Sequence, residues 1–145
     1  MLGLIQRVSQ ASVVIDGDVA GKIDRGILLL LGIQKDDGAA SASRLLNKVL
    51  SYRIFPDARG QMNLSLKDVD GGLLVVSQFT LAADTKKGLR ASFSSAAPPD
   101  IARALYDEFV RQAKAAHGEV ETGRFGADMK VHLVNDGPVT FLLEA

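Results

Sequence analysis

The chain has 145 residues, of which 47% are hydrophobic and 23% are charged, and its 17 basic and 17 acidic residues leave no formal net charge. This balance predicts a soluble globular domain with a full hydrophobic core, and it excludes a general electrostatic attraction to DNA or to a membrane surface. The absence of cysteine excludes disulfides, thiolate nucleophiles and cysteine-based zinc sites, and it is typical of a cytoplasmic protein.

The first part of the chain is predicted to form strands. Residues 2–8 favour a strand, and residues 12–15 and 19–23 flank Asp16-Gly17-Asp18, which is typical of a tight hairpin turn. Residues 27–33 are almost continuously apolar, which predicts a strand buried on both faces. That run is too short to cross a membrane, and the first residues lack the continuous apolar stretch of a signal peptide.

Two helices are predicted, each with its own boundary signals. The first covers residues 39–51, where apolar side chains share one face, and Asp36-Asp37 are expected to cap its start. The second covers residues 99–116, because Pro99 suits a first helical turn and Gly118 is a natural stop.

The remaining segments are predicted to be strands and one long loop. The strands cover residues 52–55, 73–81, 129–134 and 139–143, with a further extended region starting at residue 120, and the loop covers residues 85–97. Together these elements predict a single domain over residues 1–145 of the α+β class. Seven or eight strands would form a largely antiparallel, barrel-like sheet with the two helices packed against it.

The dipeptide Gly137-Pro138 separates the last two predicted strands. Proline has no N–H to donate to a sheet, so the chain must break its pairing or turn at this point. The preceding glycine has no side chain, which would let a ligand approach the backbone closely. On its own, the dipeptide favours a turn between two strands.

The common catalytic motifs are missing from this sequence. His117 follows a helix and His132 lies on a strand, and since no Gly-x-Ser-x-Gly elbow is present, both are interpreted as surface or structural residues. Asp128 and His132 would share one face of a strand without a third ligand, so no metal site is predicted. Phosphate-loop and dinucleotide-binding motifs are absent, and no cofactor is predicted.

Polar residues follow the strand predicted over residues 73–81. Ser77-Gln78-Phe79-Thr80 place two hydroxyls, an amide and an aromatic ring at its end, where backbone N–H groups could act as oxyanion donors. Alternation would put Ser77 and Phe79 on one face of this strand and Gln78 and Thr80 on the other. The following loop carries Lys86, Lys87 and Arg90, which could contact phosphates or simply form a solvated loop.

Several segments form a set that spans essentially the whole chain. They are Ile5-Gln6-Arg7-Val8, Arg53-Ile54-Phe55, Met62-Asn63-Leu64, a Ser-Gln-Phe-Thr segment at residues 77–80, residues 122–129, and an Asn-x-Gly-Pro-x-Thr segment at residues 135–140. This set resembles the D-aminoacyl-tRNA deacylases, in which the Ser-Gln-Phe-Thr and Gly-Pro segments are signatures. The resemblance implies a cytoplasmic hydrolase that acts on the ester bond of D-aminoacyl-tRNA, and on glycyl-tRNA as well.

The same resemblance implies a homodimer whose active sites lie at the subunit interface. The Gly137-Pro138 bond would be cis, and the pair would enter the pocket of the partner subunit. There its carbonyls would accept hydrogen bonds from the substrate ammonium group, while an L side chain would collide with the backbone. Arg7 is implied to hold this segment in place.

The resemblance also implies the residues of the pocket and its chemistry. Ser77, Gln78, Phe79 and Thr80 would form the catalytic segment, with oxyanion donors at the backbone of Phe79 and Thr80. Phe125 and Met129 would line the pocket, where an aromatic ring can stack on the terminal adenine. The resemblance further implies that the free 2′-hydroxyl of the RNA assists catalysis, and the lack of an identifiable base beside Thr80 fits this mechanism. Lys86, Lys87 and Arg90 would contact the tRNA.

Two other functions stay open on the sequence alone. The chain could bind tRNA without turning it over, or it could be a structural β-domain that uses its apolar surface only to dimerise. Release of the amino acid from charged tRNA separates the hydrolase from both.

Overall fold

One long strand organises the sheet. In the computed structural model, which describes residues 1–145, β1 (Leu2–Ile15) runs without interruption through the two segments that the sequence separates. The separation was wrong because Gln10, although polar and exposed, still pairs with Val134 across the sheet. The predicted hairpin is confirmed: Asp16 and Gly17 have φ angles of 50° and 83°, and the chain returns antiparallel as β2 (Asp18–Ile23).

The buried strand and the first helix follow in the predicted order. β3 (Gly26–Gly32) pairs antiparallel with the first half of β1, and α1 (Ala39–Ser51) has the predicted bounds. The predicted cap was wrong, because Gly38 occupies the N-cap position. The Asp37 carboxylate instead binds the amino group of Met1 at 2.6 Å and accepts the Gln34 N–H at 2.7 Å.

The region after α1 contains elements that the sequence did not predict. The short strand starts later than predicted, as β4 (Phe55–Pro56), which pairs with β5 (Met62–Leu64) in a separate two-stranded sheet. A four-residue helix, α2 (Leu66–Val69), follows and is held by its cap, since the Ser65 hydroxyl accepts the Asp68 N–H at 3.2 Å. An element this short shows no apolar periodicity in the sequence.

The strand that leads to the signature segment is shorter than predicted. β6 (Gly72–Ser77) pairs parallel with β3, and a 3₁₀ helix (Phe79–Ala82) follows it. The strand predicted over residues 73–81 was therefore wrong at its end, and the alternating faces assigned to Ser77–Thr80 do not exist. The chain leaves the sheet at Gln78, whose N–H donates to the Leu31 carbonyl at 2.8 Å.

The last elements complete the sheet. After the predicted loop, α3 (Pro99–Ala116) has the predicted bounds, β7 (Val120–Thr122) pairs parallel with β6, and β8 (Lys130–Glu144) pairs antiparallel along β1. The prediction of two final strands separated by a turn was wrong, since both lie within β8. His117 is buried with its Nε2 2.6 Å from the Gly71 carbonyl, which confirms a structural role.

The strands form a nearly closed barrel, as the sequence predicted. The order is β2-β1-β3-β6-β7, with β8 on the other edge of β1. β7 lies close to β2: a Cβ built at Gly21 of β2 would be only 2.5 Å from the Thr122 carbonyl oxygen of β7. α1 and α3 pack on the sheet through buried residues such as Leu45 and Phe109. None of the helices combines the length and apolar character needed to span a membrane.

Candidate active site

A cavity of about 490 Å³ opens where β6 ends and the segment before β8 begins. Its lining brings together five of the residues singled out from the sequence, which are Ser77, Gln78, Phe79, Phe125 and Met129. Thr80, Arg7, Gly137 and Pro138 do not line it. A second cavity, of about 450 Å³, contains Ser12, Lys22 and His132 but none of the predicted site residues.

The 3₁₀ helix gives the Ser77–Thr80 segment its shape. Ser77 and Gln78 are half-buried at the end of the buried strand, whereas Thr80 is exposed. The Gln78 side-chain amide donates to the Thr80 hydroxyl, and no other side chain bonds to that hydroxyl. Phe79 is 61% exposed, and its ring centroid lies 5.1 Å from that of Phe93 in the following loop. The segment therefore presents an amide, a hydroxyl and an aromatic ring without an adjacent base.

Phe125 is held at the cavity by two residues of α3. Its ring centroid lies 5.7 Å from that of Tyr106, and the Arg103 guanidinium carbon lies 4.9 Å from it. Tyr106 is buried and donates its hydroxyl to the Val75 carbonyl at 3.0 Å. Burial raises the pKa of the Tyr106 phenol to about 12, and the Asp107 charge adds to the effect. Tyr106 thus remains a neutral donor that fixes this wall of the cavity.

Met129 packs against the backbone on the other side. A Cβ at Gly123 would lie 2.5 Å from the Met129 sulfur, so the glycine provides room for this side chain. Asp128 is the one acidic residue of the lining, and its carboxylate pairs with Lys130 at 3.0 Å. No three His, Asp or Glu residues gather closely enough to hold a metal ion. The cavity is thus mainly apolar, with a few polar groups at one end.

The Gly137-Pro138 segment forms a bulge within β8, and its peptide bond is cis. Between the pairs Val8–Asn135 and Gln6–Thr140, four residues of β8 lie opposite Arg7 alone. Gly137 and Pro138 are both exposed. The bulge therefore exposes a short piece of backbone at the surface of the chain.

Arg7 and Asn135 hold this bulge from both sides. Arg7 Nε donates to the Asp136 carbonyl at 2.9 Å, and its Nη1 donates to the Ile54 carbonyl at 2.7 Å. Asn135 accepts the Val139 N–H at 2.9 Å and donates to the Thr140 hydroxyl at the same distance. Both connections fix the backbone that flanks the glycine and proline.

The basic side chains of the loop stay apart from the cavity lining. Lys86, Lys87 and Arg90 are exposed, and none of them takes part in an ion pair. The sequence interpretation missed Tyr106 and Arg103, which contact Phe125 from a distant helix. Their three-residue spacing on α3 was visible, but only the packing of that helix shows which residues they meet.

Known proteins are similar to this chain over nearly its whole length. A family model described as D-Tyr-tRNA(Tyr) deacylase matches residues 4–144. Proteins named D-aminoacyl-tRNA deacylase from Teredinibacter turnerae and Cellvibrio japonicus are 66% and 67% identical to this chain, with 98% and 99% of each chain covered respectively.

Two solved structures are similar over nearly all of both chains. One is titled c-Myc DNA Unwinding Element Binding Protein, with a TM-score of 0.96 at 38% identity, covering 100% of this chain and 99% of the other. The other, a probable eukaryotic D-amino acid tRNA deacylase, has a TM-score of 0.88 at 17% identity, covering 99% and 98%. The second likeness concerns the fold alone.

Proposed function

The chain belongs to the D-Tyr-tRNA(Tyr) deacylase family, and from this we propose that it hydrolyses the ester bond of D-aminoacyl-tRNA and releases free D-amino acid and tRNA. The observation that carries the proposal is the cavity that joins the Ser77–Phe79 segment to Phe125 and Met129. Its volume, about 490 Å³, lies within the usual range of small-molecule sites, about 300–1,000 Å³. It would hold the terminal adenosine and the amino acid attached to it.

The proposed site takes residues from two copies of the chain. Gly137 and Pro138 do not line the cavity of their own protomer, but they are exposed on the bulge. Leu142 on the same strand is 59% exposed, and contact with a second copy would bury its side chain. In a homodimer the bulge of one protomer would then enter the cavity of its partner.

Selection between mirror-image substrates would follow from this backbone surface. The carbonyls around Gly137 and Pro138 would accept hydrogen bonds from the substrate ammonium group and fix its orientation. With one direction at the α-carbon occupied by backbone, an L side chain would collide and a D side chain would point away. Glycine has no side chain to collide, so glycyl-tRNA would also be hydrolysed.

The chemistry would rely on the RNA as well as on the protein. Water would add to the ester carbonyl carbon, the bond to the ribose 3′ oxygen would break, and that oxygen would leave with a proton. Thr80 has only the Gln78 amide beside it, so the free 2′-hydroxyl of the ribose would help to activate the water. Phe79 and Thr80 begin the 3₁₀ helix, where N–H groups lack intrahelical acceptors and can bind the developing oxyanion.

Lys86, Lys87 and Arg90 would hold the tRNA outside the cavity. They are exposed and free of ion pairs, as contacts to an RNA backbone require. The protein would act in the cytoplasm, where aminoacyl-tRNA is used.

Release of amino acid from charged tRNA tests the proposal directly. Purified protein is expected to release D-tyrosine and glycine from their tRNAs, with or without a chelator, and to leave L-tyrosyl-tRNA at its spontaneous rate. Binding of tRNA without release would favour a binding module, and the absence of both would favour a structural domain.

Thr80→Ala tests the role of the hydroxyl. If the RNA supplies the activating group, this variant is expected to keep turnover within about threefold of the original, since only one neutral hydrogen bond is lost. Loss of turnover to background, with folding and tRNA binding intact, would identify Thr80 as a side-chain nucleophile.

Mixing two impaired variants tests whether each site is shared. Phe125→Ala damages the cavity and Gly137→Ala damages the bulge. A mixed dimer would contain one site with an intact cavity and an intact bulge, so mixing is expected to restore activity and D-selectivity. If both parts of a site came from one protomer, no mixture would recover them.

A further inference from the structure

We propose that Arg103 forms a phosphate-binding site at the rim of the cavity, which takes a phosphodiester of the RNA 3′ end. The inference rests on the proposed function, because that function places the terminal adenosine in the cavity. It adds a contact from α3, which is a separate element from the loop that carries the basic residues. Arg103 would bind substrate without touching the reacting ester.

The position of Arg103 is fixed by Phe125. Its guanidinium carbon lies 4.9 Å from the centroid of the Phe125 ring, within the range of a cation–π contact. Phe125 itself lines the cavity, as does Ala102, the neighbour of Arg103 on α3. A guanidinium that stacks on an aromatic face keeps the N–H groups of its edges available, and these match the geometry of a phosphate.

The charge of Arg103 is not neutralised by the protein. Arg103 is exposed and makes no ion pair, and Asp128, the acidic residue of the cavity, pairs with Lys130 at 3.0 Å. Asp100 and Asp107 lie three and four residues away on α3, but neither forms a salt bridge with Arg103. This cation is therefore available to an external anion.

The chain leaves space beside the guanidinium. Gly126 has a φ of +77°, and a Cβ built there would have the Arg103 Nη2 as its nearest atom, at 3.8 Å. Gly126 lines the cavity and places no side chain of its own beside Nη2. If the terminal adenine stacks on Phe125, the RNA would leave the cavity past this rim. Its phosphate would then contact the Arg103 guanidinium.

Kinetics of Arg103→Gln, measured on D-tyrosyl-tRNA at several salt concentrations, test the inference. The variant is expected to raise KM about tenfold, as loss of a hydrogen bond to a charged group predicts, with kcat within about twofold. The salt dependence of log(kcat/KM) should flatten by about 0.7, the value for one phosphate contact on a single strand. Arg103→Lys should recover the salt slope because it keeps the charge.

Lys114→Gln is the matched control, since it removes the same charge from the same helix about 16 Å further along. It should leave KM and the salt slope unchanged. A second readout is binding of the trinucleotide CCA compared with adenosine alone: Arg103→Gln should weaken the first and not the second.

The inference is overturned if Arg103→Gln leaves the salt slope unchanged, or if it lowers kcat alone. The second result would assign Arg103 the structural role of supporting Phe125. Failure of the proposed function is distinguishable from failure of this inference, because the unmodified protein would then release no amino acid. Binding of the trinucleotide would still test the role of Arg103 in that case.

Discussion

Replacing Arg7 with methionine removes both hydrogen bonds that tie β1 to the Gly137-Pro138 bulge and its surroundings. The Nε bond to the Asp136 carbonyl is 2.9 Å long, and the Nη1 bond to the Ile54 carbonyl is 2.7 Å long. The Arg7 side chain is only 12% exposed, so water cannot easily replace it. Methionine has a similar length and fills much of the same space, which limits the effect of a cavity.

The two carbonyls lose their donor in different surroundings. Ile54 is 0% exposed, and leaving a buried acceptor without a partner costs about 1–3 kcal/mol. Asp136 is an exposed residue of the bulge, so water can bond to its carbonyl and the loss there is about 1 kcal/mol. The free energy of unfolding is therefore expected to fall by about 2–4 kcal/mol.

Urea unfolding of Arg7→Met measures this loss, with Arg59→Met as the control. Arg59 is exposed and its side chain makes no hydrogen bond, so the control should stay within about 0.5 kcal/mol of the original. Under the proposed function, Arg7→Met should also hydrolyse L-tyrosyl-tRNA above background, because the bulge is no longer held. A loss below about 0.5 kcal/mol with unchanged selectivity would show that Arg7 is not what fixes the bulge.

Two further changes test the bulge and the wall of the cavity. In Gly137→Ala, the new Cβ would lie 2.6 Å from Val139 Cγ2 at a φ of +147°, so the backbone must shift. We expect the free energy of unfolding to fall by about 1–3 kcal/mol, and we expect the variant to hydrolyse L-tyrosyl-tRNA. Unchanged selectivity would contradict the role of this backbone. The pKa of Tyr106 is raised from 10.0 to about 12, so the neutral phenol stabilises the fold fully below pH 10. As the pH rises from 10 to 12, this part of the free energy of unfolding, about 3 kcal/mol, is lost. Urea unfolding between pH 9 and 12 should show this decline in the original protein and not in Tyr106→Phe, and a decline of equal size in both would assign it to other groups.

The elements predicted correctly are those whose signals are local. α1 and α3 have an apolar face, and Pro99 marks the start of α3, so their bounds could be read from the sequence. The hairpin after β1 needs positive φ at Asp16 and Gly17, and such residues favour that conformation. In each case the pattern and the structure depend on the same few neighbouring residues.

The end of β6 shows where local signals fail. Phe79, Leu81 and Ala82 continue the apolar run, but the chain leaves the sheet after Gln78 and its backbone then bonds locally, with the Leu81 N–H donating to the Gln78 carbonyl at 3.2 Å. The last bond to β3, from the Gln78 N–H to the Leu31 carbonyl, depends on how β3 and β6 align, which no neighbouring residue specifies. The family signature led to the prediction that the segment is functional, but it did not indicate that Phe79–Ala82 form a 3₁₀ helix.

The residues that support the cavity could not be predicted from the sequence, because they meet only through tertiary packing. Phe125 could be predicted as a pocket residue from a sequence motif. Tyr106 and Arg103, which contact its ring, lie on α3 and outside that motif. Sequence spacing placed these two on one side of α3 without saying what that side contacts. The supporting residues of a site are therefore harder to predict than the residues that line it.

On the proposed function, the bulge rejects L-aminoacyl substrates by steric collision, which requires a rigid backbone. The contacts around the bulge provide this rigidity. A backbone that moved aside by about 1 Å would admit the substrate it should exclude, since that is the scale at which a site loses its function. Arg7 holds two carbonyls with one rigid guanidinium, and the Asn135 side chain bonds across the bulge to Val139 and Thr140. A lysine at position 7 would keep the charge but lose the fixed fork of donors. On the proposed function, these two residues act on selectivity because they make the exposed backbone rigid before substrate arrives.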